Sequence, residues 1–181
     1  MVMSEARCNR LYEKIAQGKP PSRMAHANFK HGIFVILDPA PVALGHLTIA
    51  SLACGESMDG LSSSVVHDKL TTTAKYAGKV LASAFPEAPY IGGLMANNQI
   101  KHPHTHRMPG NEDMTWVKRF AKLPDWTRLH PSDEQMDDVL NKVTTGDEIE
   151  SLWAQCYEEV AARGEPDELT LQAIQDLGIQ L

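Results

Sequence analysis

Five consecutive apolar residues, Ile33-Phe34-Val35-Ile36-Leu37, stop abruptly at Asp38-Pro39-Ala40-Pro41, and this run constrains the fold more than any other segment. Successive side chains of a strand point to opposite faces, so an unbroken apolar strand has to be buried on both sides of its sheet. Pro39 and Pro41 end it, because proline cannot donate to a ladder and drives its predecessor away from helix.

Upstream, Arg23–Phe29 is a second β-rich run, and Lys30-His31-Gly32 between the two has the composition of a tight turn, so together they predict a hairpin. After a loop over 39–45, His46–Leu52 alternates as a third strand. Residues 65–85 place Val66, Leu70, Ala74, Ala77, Leu81 and Phe85 on one stripe at helical spacing, closed by Pro86. Tyr90–Ala96 and Lys101–Met108 read as a fourth and a fifth strand. Residues 5–17, with Leu11 and Ile15 ahead of Gly18-Lys19-Pro20-Pro21, predict a short N-terminal helix. This order predicts an α+β domain built on a five-stranded antiparallel sheet with one face covered.

The chain has 181 residues, 43% of them hydrophobic, which suits one core with an appendage rather than two full domains. Charge marks the division. Residues 1–111 carry 11 Lys+Arg against 7 Asp+Glu, a balance of +4, whereas residues 112–181 carry 6 against 16, a balance of −10. The expected organisation is therefore a domain over 1–110 and an acidic helical extension over 111–181. A mildly basic front suits phosphate-bearing ligands, and the acidic tail argues against wrapping nucleic acid. In the tail, Ser132 with Gln135 and Thr145 with Glu148 have capping-box spacing, each ahead of an apolar stripe, and Glu165-Pro166-Asp167 opens a last helix carrying Leu169, Ile174 and Leu177. These helices must pack on the front domain or on a second subunit. No apolar run approaches the length of a membrane span, and Cys8, Cys54 and Cys156 are odd in number and far apart; both features read as a soluble, cytoplasmic protein in a reducing compartment.

Three of the eight histidines fall within His102-Pro103-His104-Thr105-His106. On a strand their rings share one face, neighbours roughly 6 to 7 Å apart. Such an array suits either a phosphate or a metal ion, since imidazole serves as nucleophile, acid, base or ligand near neutral pH. His26, His31, His67 and His130 lack a motif and read as structural.

Two blocks in this order resemble the histidine-triad (HIT) family of nucleotide hydrolases and transferases. One runs from Cys8 to Ser51 and includes Phe34–Ile49 with Asp38 and Gly45-His46; the other is Ile100–Pro109 with the alternating histidines. The resemblance covers about 110 residues and implies a HIT-like sheet with N-terminal and central helices. It further implies that His104 attacks the α-phosphorus of a nucleotide to give a covalent nucleotidyl-histidine. His102 and His106 would bind the phosphoryl oxygens or orient the attacking ring, His46 would lie near the phosphate, and Asp38 would accept from the ribose hydroxyls. Between Ala96 and His102 the chain has only Asn97-Asn98-Gln99-Ile100-Lys101, shorter than the family's usual loop, which leaves Asn98 or Gln99 as the phosphate contacts. Pro103 gives a His-Pro-His core like that of the galactose-1-phosphate uridylyltransferase branch, while histidine rather than glutamine at 106 goes with hydrolysis. The N-terminal Cys-x-x-Cys zinc pair of some members is reduced to Cys8 with Leu11 at the partner position, so zinc stays open but is not favoured, and no other cofactor is expected.

The resemblance implies a nucleotide substrate and a homodimer, and the apolar runs and the acidic tail add the expectation of no membrane and no stable nucleic-acid binding. The expected activity is hydrolysis of a nucleoside phosphoramidate, a dinucleoside polyphosphate or a related nucleotidyl bond. Transfer of the nucleotidyl group to a sugar phosphate or other acceptor, a metal-binding module and a non-catalytic nucleotide-binding protein stand beside it as alternatives.

Overall fold

A computed structural model describes residues 23–39, 41–52, 64–96, 104–110 and 129–179. The expected N-terminal helix over 5–17, Cys54, Asn98, Gln99 and His102 lie outside these residues. Five strands form one antiparallel sheet: β1 Met24–Asn28, β2 Ile33–Leu37, β3 Leu47–Ser51, β4 Tyr90–Ala96 and β5 His104–Gly110, in spatial order β1-β2-β3-β5-β4. The helices are α1 Ser64–Ala84, α2 Asp133–Thr144, α3 Asp147–Ala161 and α4 Glu168–Asp176. The hairpin turn is a single 3-10 turn over Phe29–His31, released by Gly32 at φ +72.

Alternation along β2 divides the core in two. Ile33, Val35 and Leu37 join Leu47 and Ile49 under α1, α2 and α3, and the expected stripe of α1 from Val66 to Phe85 is buried there throughout. Phe34 and Ile36 face the other way with Ala50 and Leu52, and Ile174 of α4 buries them. Burial of a large apolar side chain contributes roughly 1.5–3 kcal/mol, which gives α4 a strong reason to lie on this second face. The expectation of one covered face was thus incomplete, because α4 roofs the β1–β2–β3 end of the opposite side. That is also how every residue of β2 comes to be buried.

The acidic helices pack on the front part of the same chain, sharing one core with it. Arg23, just ahead of β1, donates to Asp133 and Asp137 on α2. Trp153 of α3 donates from Nε1 to the Val143 carbonyl at 2.8 Å and stacks on His26 of β1, ring centroids 4.6 Å apart. Glu159 accepts from Tyr76, Lys75 and Arg163, hydrogen bonds that hold its carboxyl down to about 2. Cys156 is a structural thiol, pushed up to about 12 by burial between α3 and α1. Lys69 of α1, 1% exposed, donates to the Glu165 carbonyl ahead of α4.

Two details differ from the sequence expectation. The Ser132–Gln135 capping box forms reciprocally, but Thr145 and Glu148 make none: Thr145 is the C-cap of α2, donating its hydroxyl to the Asn141 carbonyl, and α3 begins after Gly146 at φ +103. With so short a link between the helices, Thr145 is taken by the helix it ends. In α4 the buried positions are Thr170 and Ile174, and Leu169 is exposed, because Asp167 caps the helix through Thr170 N–H and fixes its rotation.

Candidate functional site

Register, rather than proximity in sequence, assembles the site. Across the second face run two rows of opposed residues: Ile36, Thr48 and His106 in one, Phe34, Ala50 and His104 in the other. His104 and His106 therefore project from the face that α4 partly covers. Their rings sit 4.9 Å apart, edge to face at 88°. His104 is 7% exposed.

Asp38 and His46 come to the same place through the loop that joins β2 to β3. Asp38 N–H donates to the His46 carbonyl at 2.8 Å, and His46 N–H donates to the Ala43 carbonyl, so the loop closes tightly. Gly45 makes that closure feasible: its φ is +87, and a Cβ there would stand 2.8 Å from the Phe85 ring. His46 is held almost wholly inside, 1% exposed.

The contacts form a network centred on His106. His46 Nε2 lies 2.9 Å from His106 Nδ1, and Thr48 Oγ1 lies 3.1 Å from the same nitrogen. Thr48 also donates to Asp38 Oδ2 at 3.1 Å. The Val42 N–H points at His46 Nδ1, 3.4 Å away. The Val42 N–H favours a lone pair on His46 Nδ1 and a proton on its Nε2, whereas Thr48, its proton given to Asp38, favours a proton on His106 Nδ1, so the two neighbours compete across the 2.9 Å contact between the rings. Val42, His46, His106, Thr48 and Asp38 are thus joined in one hydrogen-bonded network.

Asp38 Oδ2, His46 Nε2 and His106 Nδ1 also satisfy the spacing of a metal claw, all within 4.8 Å of one another. With separations of 2.9, 3.8 and 3.9 Å, a point in their plane lies about 2.1 Å from each, the length of a zinc–nitrogen bond. Ligation would require a lone pair on His46 Nε2, moving the proton to Nδ1 against the Val42 N–H. The second shell of a ligating histidine ordinarily accepts that proton rather than opposing it. Zinc would thus meet three suitable donors, with the Val42 N–H opposed to ligation by His46 Nε2.

The structure brings together four of the predicted residues, His104, His106, His46 and Asp38; His102, Asn98 and Gln99 are not among the described residues. Thr48 was missed. Its signal in the sequence was faint: a hydroxyl at an alternate position of an otherwise apolar strand, meaningful only once β3 is known to lie beside β5. Arg107, despite following His106, leaves the site; it points to the first face, donates to the Ala74 carbonyl of α1 at 3.0 Å and crosses Gly93 of β4, and desolvation lowers its pKa. His26 and His31 belong to the helical side and the hairpin turn, away from the network.

Sheet order, the central helix and the face that carries the histidines give this chain the histidine-triad fold. It is similar to a histidine triad nucleotide-binding protein from Sulfolobus tokodaii, at 16% identity and TM-score 0.56 over 82% of this chain and 92% of that one. A Hit-like protein involved in cell-cycle regulation from Bartonella henselae matches at 16% identity and TM-score 0.55, covering 71% and 89%. A zinc-bound histidine triad family protein from Mycobacterium smegmatis matches at 17% identity and TM-score 0.50, covering 82% and 95%. No family model matches the sequence, and no curated protein matches it. Among the described residues, no helix is long and apolar enough to cross a membrane.

Proposed function

We propose that this chain is a nucleotide hydrolase that cleaves a nucleoside phosphoramidate, a dinucleoside polyphosphate or a related nucleotidyl bond through a covalent intermediate on His104. The observation that carries this reading is the pairing of a buried His104 with the network of His106, His46, Thr48 and Asp38 on one sheet face. A ring nitrogen of neutral His104 attacks the α-phosphorus; a nitrogen–phosphorus bond forms as the bond to the leaving group breaks, and the leaving group takes a proton. Water then attacks the same phosphorus, breaks the nitrogen–phosphorus bond and restores His104. His106, edge to face with His104, stabilises charge on the transferring phosphoryl oxygens, ordinarily the largest catalytic contribution. Asp38, shared between Thr48 and the ribose, fixes the nucleoside, and His102 is assigned to the phosphate by its place in the motif. The name of the Sulfolobus tokodaii neighbour, a nucleotide-binding protein, supports the substrate class.

On this reading no metal takes part, and the protein works as a homodimer in the cytoplasm; the outer edge of β4, unpaired among the described strands, supports an assembly between copies. His104→Ala should reduce turnover by about a thousandfold or more while nucleotide monophosphate binding persists. Undiminished turnover in that variant overturns the mechanism. The His-Pro-His core favours a second reading, transfer to a sugar phosphate, and product analysis with and without that acceptor separates the two.

A further inference from the structure

We infer that α4 supplies one wall of the nucleoside pocket, so that the base of the substrate rests against the C-terminal helix of this chain. The inference rests on the nucleotide reading above and extends it to the part of the substrate that the histidines do not touch.

Three observations lead there. First, α4 and the histidines share one face. Phe34, Ile36 and Ala50, which Ile174 covers, are the immediate row neighbours of His104, Thr48 and His106. Adjacent strands are about 4.8 Å apart, so α4 stands one or two strands from the triad and rises above it as a step. Second, the substrate has a direction. With the phosphate at His104 and His106 and the ribose at Asp38, which lies beyond the end of β2 and 3.9 Å from His106, the line from phosphate to ribose leads from β5 towards β2. Continued, it reaches the β1–β2 margin and its cover. Third, the surface there has the right chemistry. Met24, which pairs with Ile36, and Leu177 and Ile179 after α4 are apolar, pack on the same cluster and are only partly buried. A purine or pyrimidine presents flat faces that gain from such contact.

The step is firmly placed. Thr170 packs against Gly32, where a Cβ would come within 2.3 Å of its methyl, and Lys69 holds the preceding segment through the Glu165 carbonyl. Asp167 caps the helix. A wall anchored at its far end leaves Leu177 and Ile179 as the residues that meet a ligand.

The test compares adenosine monophosphate with ribose 5-phosphate, which keeps phosphate and sugar but lacks a base, using calorimetry on the full chain. The unaltered protein should bind adenosine monophosphate more tightly. Leu177→Ala and Ile179→Ala should each weaken it by about five- to tenfold and leave ribose 5-phosphate unchanged, the loss of one apolar contact. Leu171→Ala, on the exposed side of α4, should change neither. Hydrogen exchange provides a readout independent of any variant: adenosine monophosphate should slow exchange over 168–179, and ribose 5-phosphate should not. Equal losses for both compounds, unchanged affinity with no protection of α4, or a gain in adenosine monophosphate affinity would each overturn the inference; the last would mean that α4 obstructs the base. If the unaltered protein binds neither compound, the nucleotide reading itself falls, and this inference with it.

Discussion

Acid should destabilise this protein measurably through one residue on the side of the sheet away from the histidine network. His26 stacks on Trp153 at 6° between ring planes, its Nε2 is buried with no hydrogen-bond partner among the described residues, and desolvation lowers its pKa from 6.5 to about 4. A depressed histidine pKa means that the folded chain holds the neutral ring while the unfolded chain accepts a proton first. Stability is therefore intact above pH 6.5 and is lost as pH falls towards 4. From those two values the loss is about 2 kcal/mol at pH 5, large beside a typical total of about 5–15 kcal/mol. His31, also lowered mainly by burial, adds in the same direction. Urea unfolding at pH 7.5 and pH 5.0 should be compared between the unaltered protein and His26→Phe, which keeps a ring against Trp153 and removes the titration. The carboxylates and His31 contribute alike to both proteins, so the difference of differences isolates His26. It should come to about 2 kcal/mol in favour of the variant at pH 5. Parallel losses in the two proteins would refute the reasoning.

Two further outcomes follow from the site. Thr48→Val removes the hydroxyl between Asp38 and His106 while keeping the shape, so kcat should fall about ten- to hundredfold with stability changed by less than about 1 kcal/mol; steady-state kinetics with a nucleoside phosphoramidate checks this, and an unchanged kcat would remove Thr48 from the machinery. Gly45→Ala forces a side chain into positive φ and against Phe85, which should cost about 2–4 kcal/mol in chemical denaturation and weaken the placement of His46; a cost under about 0.5 kcal/mol would show that the loop relaxes freely.

How far the sequence could be read depended on the range of the interaction. The α1 stripe and the Ser132 capping box rest on contacts a few residues apart, and both appear as expected. The alternating histidines identified β5 and the face from which His104 and His106 project because a two-residue period needs no partner to be visible. Thr48 did need one: its hydroxyl has a role only because β3 lies beside β5 in one register. The position of α4 was equally hidden. An apolar β2 required cover on both faces, yet nothing in the run could say that the second cover would come from Ile174. Thr145 could serve the end of one helix or the start of the next, and spacing alone does not rank the two.

The distance along the chain between Phe34 and Ile174, 140 residues, also has a kinetic side. Contacts this remote form only after the loop between them has been closed, and the entropy of that closure sets them late in folding. The sheet and α1 have shorter closures to make, so a species with the histidine face assembled and Phe34, Ile36, Ala50 and Leu52 still bare should precede the native state. Such a species would expose an apolar surface beside the histidines. Docking of α4 then covers that surface and ends the chain's exposure to aggregation.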